Sequence, residues 1–113
     1  MTRMSQIETE PEELPHPAPQ ELDLATVLRA LSDPIRLRIV SMLASGEERT
    51  CCSFDLPVVK STSTHHFRVL REAGVIRQRV EGKTRLSALR RDDLEARFPG
   101  LLEAVLRGGS TPR

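Results

Sequence analysis

The chain has neither tryptophan nor tyrosine, and it has only three phenylalanines and two cysteines among 113 residues. Each scarcity excludes something. Modules that read RNA or single strands stack bases on exposed aromatic rings, and Phe54, Phe67 and Phe98 are a thin supply, with Phe67 on the apolar face of a predicted helix. Cys51 and Cys52 are adjacent in the chain. Neighbouring cysteines bridge each other only with strain, so no disulfide framework is expected and a reducing compartment suits them. No apolar run approaches the roughly 18 residues that would span a bilayer. The opening segment "MTRMSQIETEPEELPHPAPQ" lacks the apolar stretch of a signal peptide, so a cytoplasmic protein without a membrane partner is expected. No phosphate-cradling glycine loop or paired catalytic carboxylates are visible, and His65 and His66 stand beside no nucleophile at a suggestive spacing. Neither an enzyme nor a cofactor is expected.

What the sequence does have is a strongly uneven charge. The whole chain carries only +1, yet residues 1–20 set Arg3 against Glu8, Glu10, Glu12 and Glu13, a net of −3. Residues 56–91 set nine lysines and arginines against Glu72 and Glu81, a net of +7. Screening over about 8 to 10 Å makes local charge decisive, so this segment attracts polyanions whatever the overall balance.

Punctuation divides the chain. Pro11, Pro15, Pro17 and Pro19 with interleaved acids predict a disordered acidic arm over residues 1–19. "ELDLATVLRALSD" then places Leu24, Val27, Leu28 and Leu31 on one face of a first helix. Asp33 before Pro34 is an N-cap followed by proline at the first helical position, and "PIRLRIVSMLASG" predicts a second helix stopping towards Gly46. Pro57 limits any following helix to about Thr50–Leu56. Lys60 to Ala73 is a further helix with Phe67, Leu70 and Ala73 inward and Gly74 as its stop. Glu81-Gly82 between two alternating stretches signals a hairpin. A last helix opens at Asp92 and Asp93, is interrupted at Phe98-Pro99 and ends at Gly108. The expected domain therefore covers residues 20–107, with a flexible tail at 108–113.

The fold class this predicts is mainly α with a β-hairpin, about five helices plus a wing, as in winged helix-turn-helix proteins. There the second helix of the turn enters the major groove while the ribbon lies against the neighbouring backbone or minor groove. It also accounts for "STSTHHF", poor helix formers at a helix start. Short hydroxyl side chains let the backbone approach phosphates at the positive end of the helix dipole, and Ser, Thr and His also reach base edges. His66 is expected to serve helix packing.

"ALSDPIRLRIVSML", "STSTHHFRVLREAGVI" and "EGKTRLSAL", in that order, resemble the ArsR family of bacterial winged-helix repressors over about residues 21–106. The resemblance implies a homodimer joined through its first and last helices, binding a double-stranded operator of twofold symmetry and released by an effector the sequence does not name. It implies DNA contacts from Lys60, Ser61, Thr62, Ser63, Thr64, His65 and Arg68, and a wing carrying Arg77, Arg79, Lys83 and Arg85. The chain departs from the family at Ser63, where an apolar residue is usual, and before Pro57, where the preceding helix is shortened.

Many relatives sense metals through cysteines near the third helix or through Asp, His and Glu pairs on the last one. The last helix offers Asp92, Asp93, Glu95 and Glu103 but no histidine, so no metal site is expected there. Cys51 and Cys52 are adjacent rather than one residue apart, and such side chains diverge on a helix. A thiol-redox or metalloid sensor using that pair, with His16 as a further ligand, stays as an alternative. So do a winged-helix protein-interaction module and an RNA binder.

Overall fold

The computed structural model describes residues 12–50, 54 and 56–109. Cys51 and Cys52, the first eleven residues and the last four lie outside the described residues.

Helix α1, Leu24–Ala30, begins where Asp23 accepts a hydrogen bond from the Thr26 amide at 3.0 Å. Helix α2, Pro34–Met42, begins at Asp33, whose carboxylate accepts from the amides of Ile35 and Arg36 at 2.9 and 3.1 Å. The predicted N-cap followed by proline is present. Two orphan amides are satisfied there, an arrangement worth about 1 kcal/mol relative to alanine at the cap. The corner between α1 and α2 is closed by Arg36, whose Nε donates to the Ala30 carbonyl. Val27, Leu31, Ile39, Val40 and Leu43 are buried from these two helices. Leu24 and Leu28, on the apolar face that the sequence predicts for α1, are 45% exposed each.

Helix α3, Lys60–Ala73, buries His66, Phe67, Leu70 and Ala73 and ends at Gly74, whose φ of 90° lies in the left-handed region. That glycine is required twice over, because a Cβ there would also stand 2.1 Å from Leu22 Cδ2. The hairpin follows as β3, Ile76–Glu81, and β4, Thr84–Leu89, paired antiparallel with Glu81 opposite Thr84. Gly82 and Lys83 form its two-residue loop. Only Gly82, at φ 66°, needs a positive φ there, the pattern of a type II′ turn. Helices α4, Arg91–Arg97, and α5, Leu101–Gly109, replace the single interrupted helix that the sequence predicts, with Gly100 at φ 86° between them. Asp93 does not cap α4. Its carboxylate accepts from Arg90 Nε at 3.0 Å instead.

Two expectations need correction. The short helix predicted over Thr50–Leu56 begins as β2, Arg49–Thr50, which pairs antiparallel with β4 opposite Ser87 and Leu86. The free edge of β4 offers hydrogen bonds there, and a short segment ending in a β-branched threonine takes them. The remainder of that predicted helix falls largely outside the described residues. The arm is not disordered throughout its length either. Residues Glu12–Glu13, β1, pair with Val80 and Arg79 on the other edge of the hairpin, giving a four-stranded sheet in the order β1-β3-β4-β2. The Leu14 amide then donates to the Gln78 carbonyl at 2.9 Å, and a 3-10 turn covers Pro19–Glu21. Arg90, only 4% exposed, donates to the Pro17 carbonyl at 2.7 Å, and Arg97 donates to the Leu22 carbonyl at 3.0 Å. Proline carbonyls remain full acceptors, so a proline-rich segment can be held by arginines it meets.

Candidate nucleic-acid interface

The head of α3 protrudes. Lys60, Ser61, Thr62, Thr64, His65 and Arg68 are exposed, while Ser63 is half-buried with its hydroxyl donating to the Lys60 carbonyl at 3.0 Å. The first turn has no side-chain cap, because Val59 stands at the N-cap position. His65 and Arg68 lie beside each other, with 3.4 Å between Nδ1 and Nη2. His66 points the other way and is 8% exposed. Its Nδ1 is 3.1 Å from Arg36 Nη1 and 3.9 Å from the Asp33 carboxylate that caps α2. Burial, together with the Arg36 and His65 charges, outweighs Asp33 and holds His66 below its ordinary pKa. This histidine is a strut between the two helices of the turn, the packing role its sequence position predicts.

The wing is fastened to α3 through a chain of polar groups that no sequence motif marks. Arg71 Nη1 donates to Gln78 Oε1 at 2.7 Å, and Gln78 Nε2 donates to Ser87 Oγ at 2.9 Å. Gln78 and Ser87 are 1% and 0% exposed. A buried amide must be satisfied, so this chain fixes which face of the hairpin lies on α3. The hint available in sequence was a glutamine between two arginines on a strand with period-two alternation.

That face decides the fate of the basic residues. Side chains alternate across a strand, so Arg85, opposite Val80, shares the α3 side with Gln78 and Ser87, whereas Arg77 and Arg79 point to the other side. Lys83 stands in the turn. Lys60, Ser63, Thr64, Lys83, Thr84 and Arg85 rim one cleft of about 700 Å³ between the head of α3 and the wing. Its floor includes Phe54 and Phe67, packed edge to face with centroids 5.1 Å apart. On the opposite side, both oxygens of Glu48 accept from Arg79 at 2.8 Å, and Glu81 adds a contact at 3.4 Å. The Arg79 hydrogen bonds hold Glu48 below the usual carboxylate range, and Arg79 is raised in turn. The structure therefore does not bring the predicted basic set together. It gathers Lys60, Lys83 and Arg85 at one cleft and engages Arg79 elsewhere.

A basic, hydroxyl-headed helix and a basic ribbon beside it on a helical core are the parts of a winged DNA-binding domain. Residues 33–78, from the cap of α2 to the fastening glutamine of the wing, match the bacterial regulatory protein, arsR family. An uncharacterized HTH-type transcriptional regulator of Bacillus subtilis, YceK, is 38% identical over 84 residues, covering 72% of this chain and 84% of that protein. The chain belongs to the ArsR family. A cadmium resistance transcriptional regulatory protein CadC homolog of Staphylococcus aureus is 38% identical over 64 residues, 55% of this chain and 53% of that one. An uncharacterized HTH-type regulator of Methanocaldococcus jannaschii is 33% identical over 60 residues, 51% of this chain and 67% of that protein. Membership of the ArsR family makes this chain a DNA-binding transcriptional regulator with a winged helix-turn-helix fold. Among the described residues no helix is long and apolar enough to cross a membrane. Among the same residues no cluster of three His, Cys, Asp or Glu is placed to hold a metal ion.

Proposed function

We propose that this regulator is a homodimeric repressor, in which Lys60 to His65 and Arg68 read one operator half-site while Lys83 and Arg85 grip the adjoining backbone. The observation that carries the reading is the single cleft that these two basic elements share, with Thr64 and Ser63 on one wall and Arg85 on the other. Arg77 is exposed on the far side of the wing and adds field rather than base contact, and Arg79 contributes through the sheet it steadies. Dimerisation is supported by Leu24 and Leu28, exposed side by side on α1, and by half-buried Leu101, Val105 and Leu106 on α5. Apolar groups left in this arrangement on a small domain favour an isologous partner. The proposed domain spans residues 20–107, with Glu12 and Glu13 of the acidic segment before it held along the wing edge, and α5 carries the described chain on to Gly109. The protein works in the cytoplasm and carries out no catalysis.

Binding of duplex DNA, single strands and RNA, compared by filter retention, tests the reading. Duplex should win, and a footprint of twofold symmetry should appear at a selected site. Preference for RNA or single strands overturns it. One arm of the same assay adds cadmium, oxidants and thiols, because a relative is named for cadmium resistance and Cys51 and Cys52 precede α3. Release by any of these that is lost on changing both cysteines to serine assigns the sensor to that pair.

A further inference from the structure

Val59 is 67% exposed, the most exposed of the large hydrophobic residues described, ahead of Leu24 and Leu28 at 45% each. Single exposed hydrophobics are ordinary on protein surfaces, but this one occupies a position with a strong chemical preference. It is the N-cap of α3, with φ −71° and ψ 163°, and its carbonyl accepts from the Ser63 amide at 3.0 Å. Helices α1 and α2 of the same domain both place an aspartate at this position and gain a side-chain cap. At α3 the cap is forgone and a branched apolar side chain is held out beside Lys60, at the end of the helix that faces DNA. An aspartate there would repel phosphates, but serine or threonine would cap without that penalty, so electrostatics alone does not select valine.

Among the base-edge groups of the major groove, the apolar feature is the 5-methyl of thymine. We infer that Val59 is a specificity-determining residue that packs against a thymine methyl at the edge of each operator half-site. This inference rests on the reading of α3 as the base-reading helix. It adds an apolar contact to the polar ones made by Thr64 and His65.

The test uses binding sites selected by the full-length protein from a random duplex pool, with each thymine replaced singly by deoxyuridine. That base pairs identically and lacks only the methyl. For the unaltered protein one thymine position in each half-site should lose affinity by about fourfold, the effect of withdrawing roughly one buried methylene. The variants Val59→Ser and Val59→Ala should bind thymine and uracil equally at that position and keep the response at every other base. Val59→Ser restores a capping hydroxyl, so its melting temperature should equal or exceed that of the parent, which separates lost recognition from lost folding. Indifference of the parent protein to every thymine replacement, or an unchanged thymine preference in both variants, overturns the inference. Failure to enrich any duplex sequence removes the base-reading role of α3 itself, a result distinct from enrichment without methyl sensitivity.

Discussion

The front and the back of the wing carry the same residue types with opposite fates. Lys83 and Arg85 at the cleft form no ion pair among the described residues, while Arg79, pointing the other way, is clasped by Glu48 through two hydrogen bonds of 2.8 Å. The front leaves its donors open, whereas on the back Arg79 is satisfied and Arg77 stays exposed beside it. What separates them is strand alternation, anchored by the buried Gln78–Ser87 bond, rather than any difference in the arginines themselves. A run of basic residues in a sequence is therefore divided between two faces of the wing, because alternate members point opposite ways.

The largest expected effect is at the outer edge of the wing, where β1 and the segment after it lie. Deleting residues 1–18 removes the Pro17 carbonyl from Arg90, a side chain 3% exposed, and uncovers Gly74. A lost hydrogen bond to a buried charge costs about 1.5 to 3 kcal/mol. Urea denaturation should show a stability loss of that order. An unchanged midpoint would mean that the segment lies on the domain without holding it.

On the front, Thr64→Ala or His65→Ala should cost about 1 to 3 kcal/mol on a selected operator and little on random duplex. Chemical stability should not move, since both side chains are exposed. Equal losses on both duplexes would turn the helix head into a phosphate clamp. Lys83→Ala and Arg85→Ala should weaken operator and random duplex together, with the salt dependence flattened by about 0.9 in slope for each phosphate that is no longer neutralised. Arg79→Ala should leave that slope nearly unchanged and cost no more than about 1 kcal/mol of stability, the upper range for an exposed ion pair. A drop in slope for Arg79→Ala equal to that for Arg85→Ala would erase the distinction between the two faces.

Much of this was legible in the sequence, for reasons that are local. Asp33-Pro34, Gly74 and Glu81-Gly82 are signals whose physics acts within a few residues, and each marks an element boundary found in the structure. What escaped is nonlocal. Glu48 and Arg79 are 31 residues apart in the chain, and nothing near either announces the pair. The order of residues 12–22 depends on Arg90 and Arg97, more than seventy residues downstream. Composition argues correctly that such a segment cannot build its own core, but it is silent on whether another core offers it partners. The strand at Arg49–Thr50 likewise depends on the open edge of β4 rather than on its own residues.

The smallest effect concerns the strut behind the recognition helix. Protonation of His66 is disfavoured in the folded protein because burial, aided by Arg36 and His65, lowers its pKa against the pull of Asp33. In the unfolded chain it titrates near 6.5. As pH falls through that value the unfolded state takes up a proton that the folded state refuses, so stability must decline from about pH 7 downwards until the lowered folded pKa is passed. At Asp33 burial is outweighed by the amide bonds from Arg36 and Ile35, by the Arg36 charge and, once it is protonated, by His66, so Asp33 loses its own contribution only at lower pH, below its unfolded value of about 3.8. The two windows can be told apart. His66→Gln should flatten the upper one while leaving most of the lower one, which also rests on the amide bonds to Asp33, measured as the urea midpoint at pH 7, 6, 5 and 3. If His66→Gln kept the full loss between pH 7 and 5, proton uptake at the strut would not be its source.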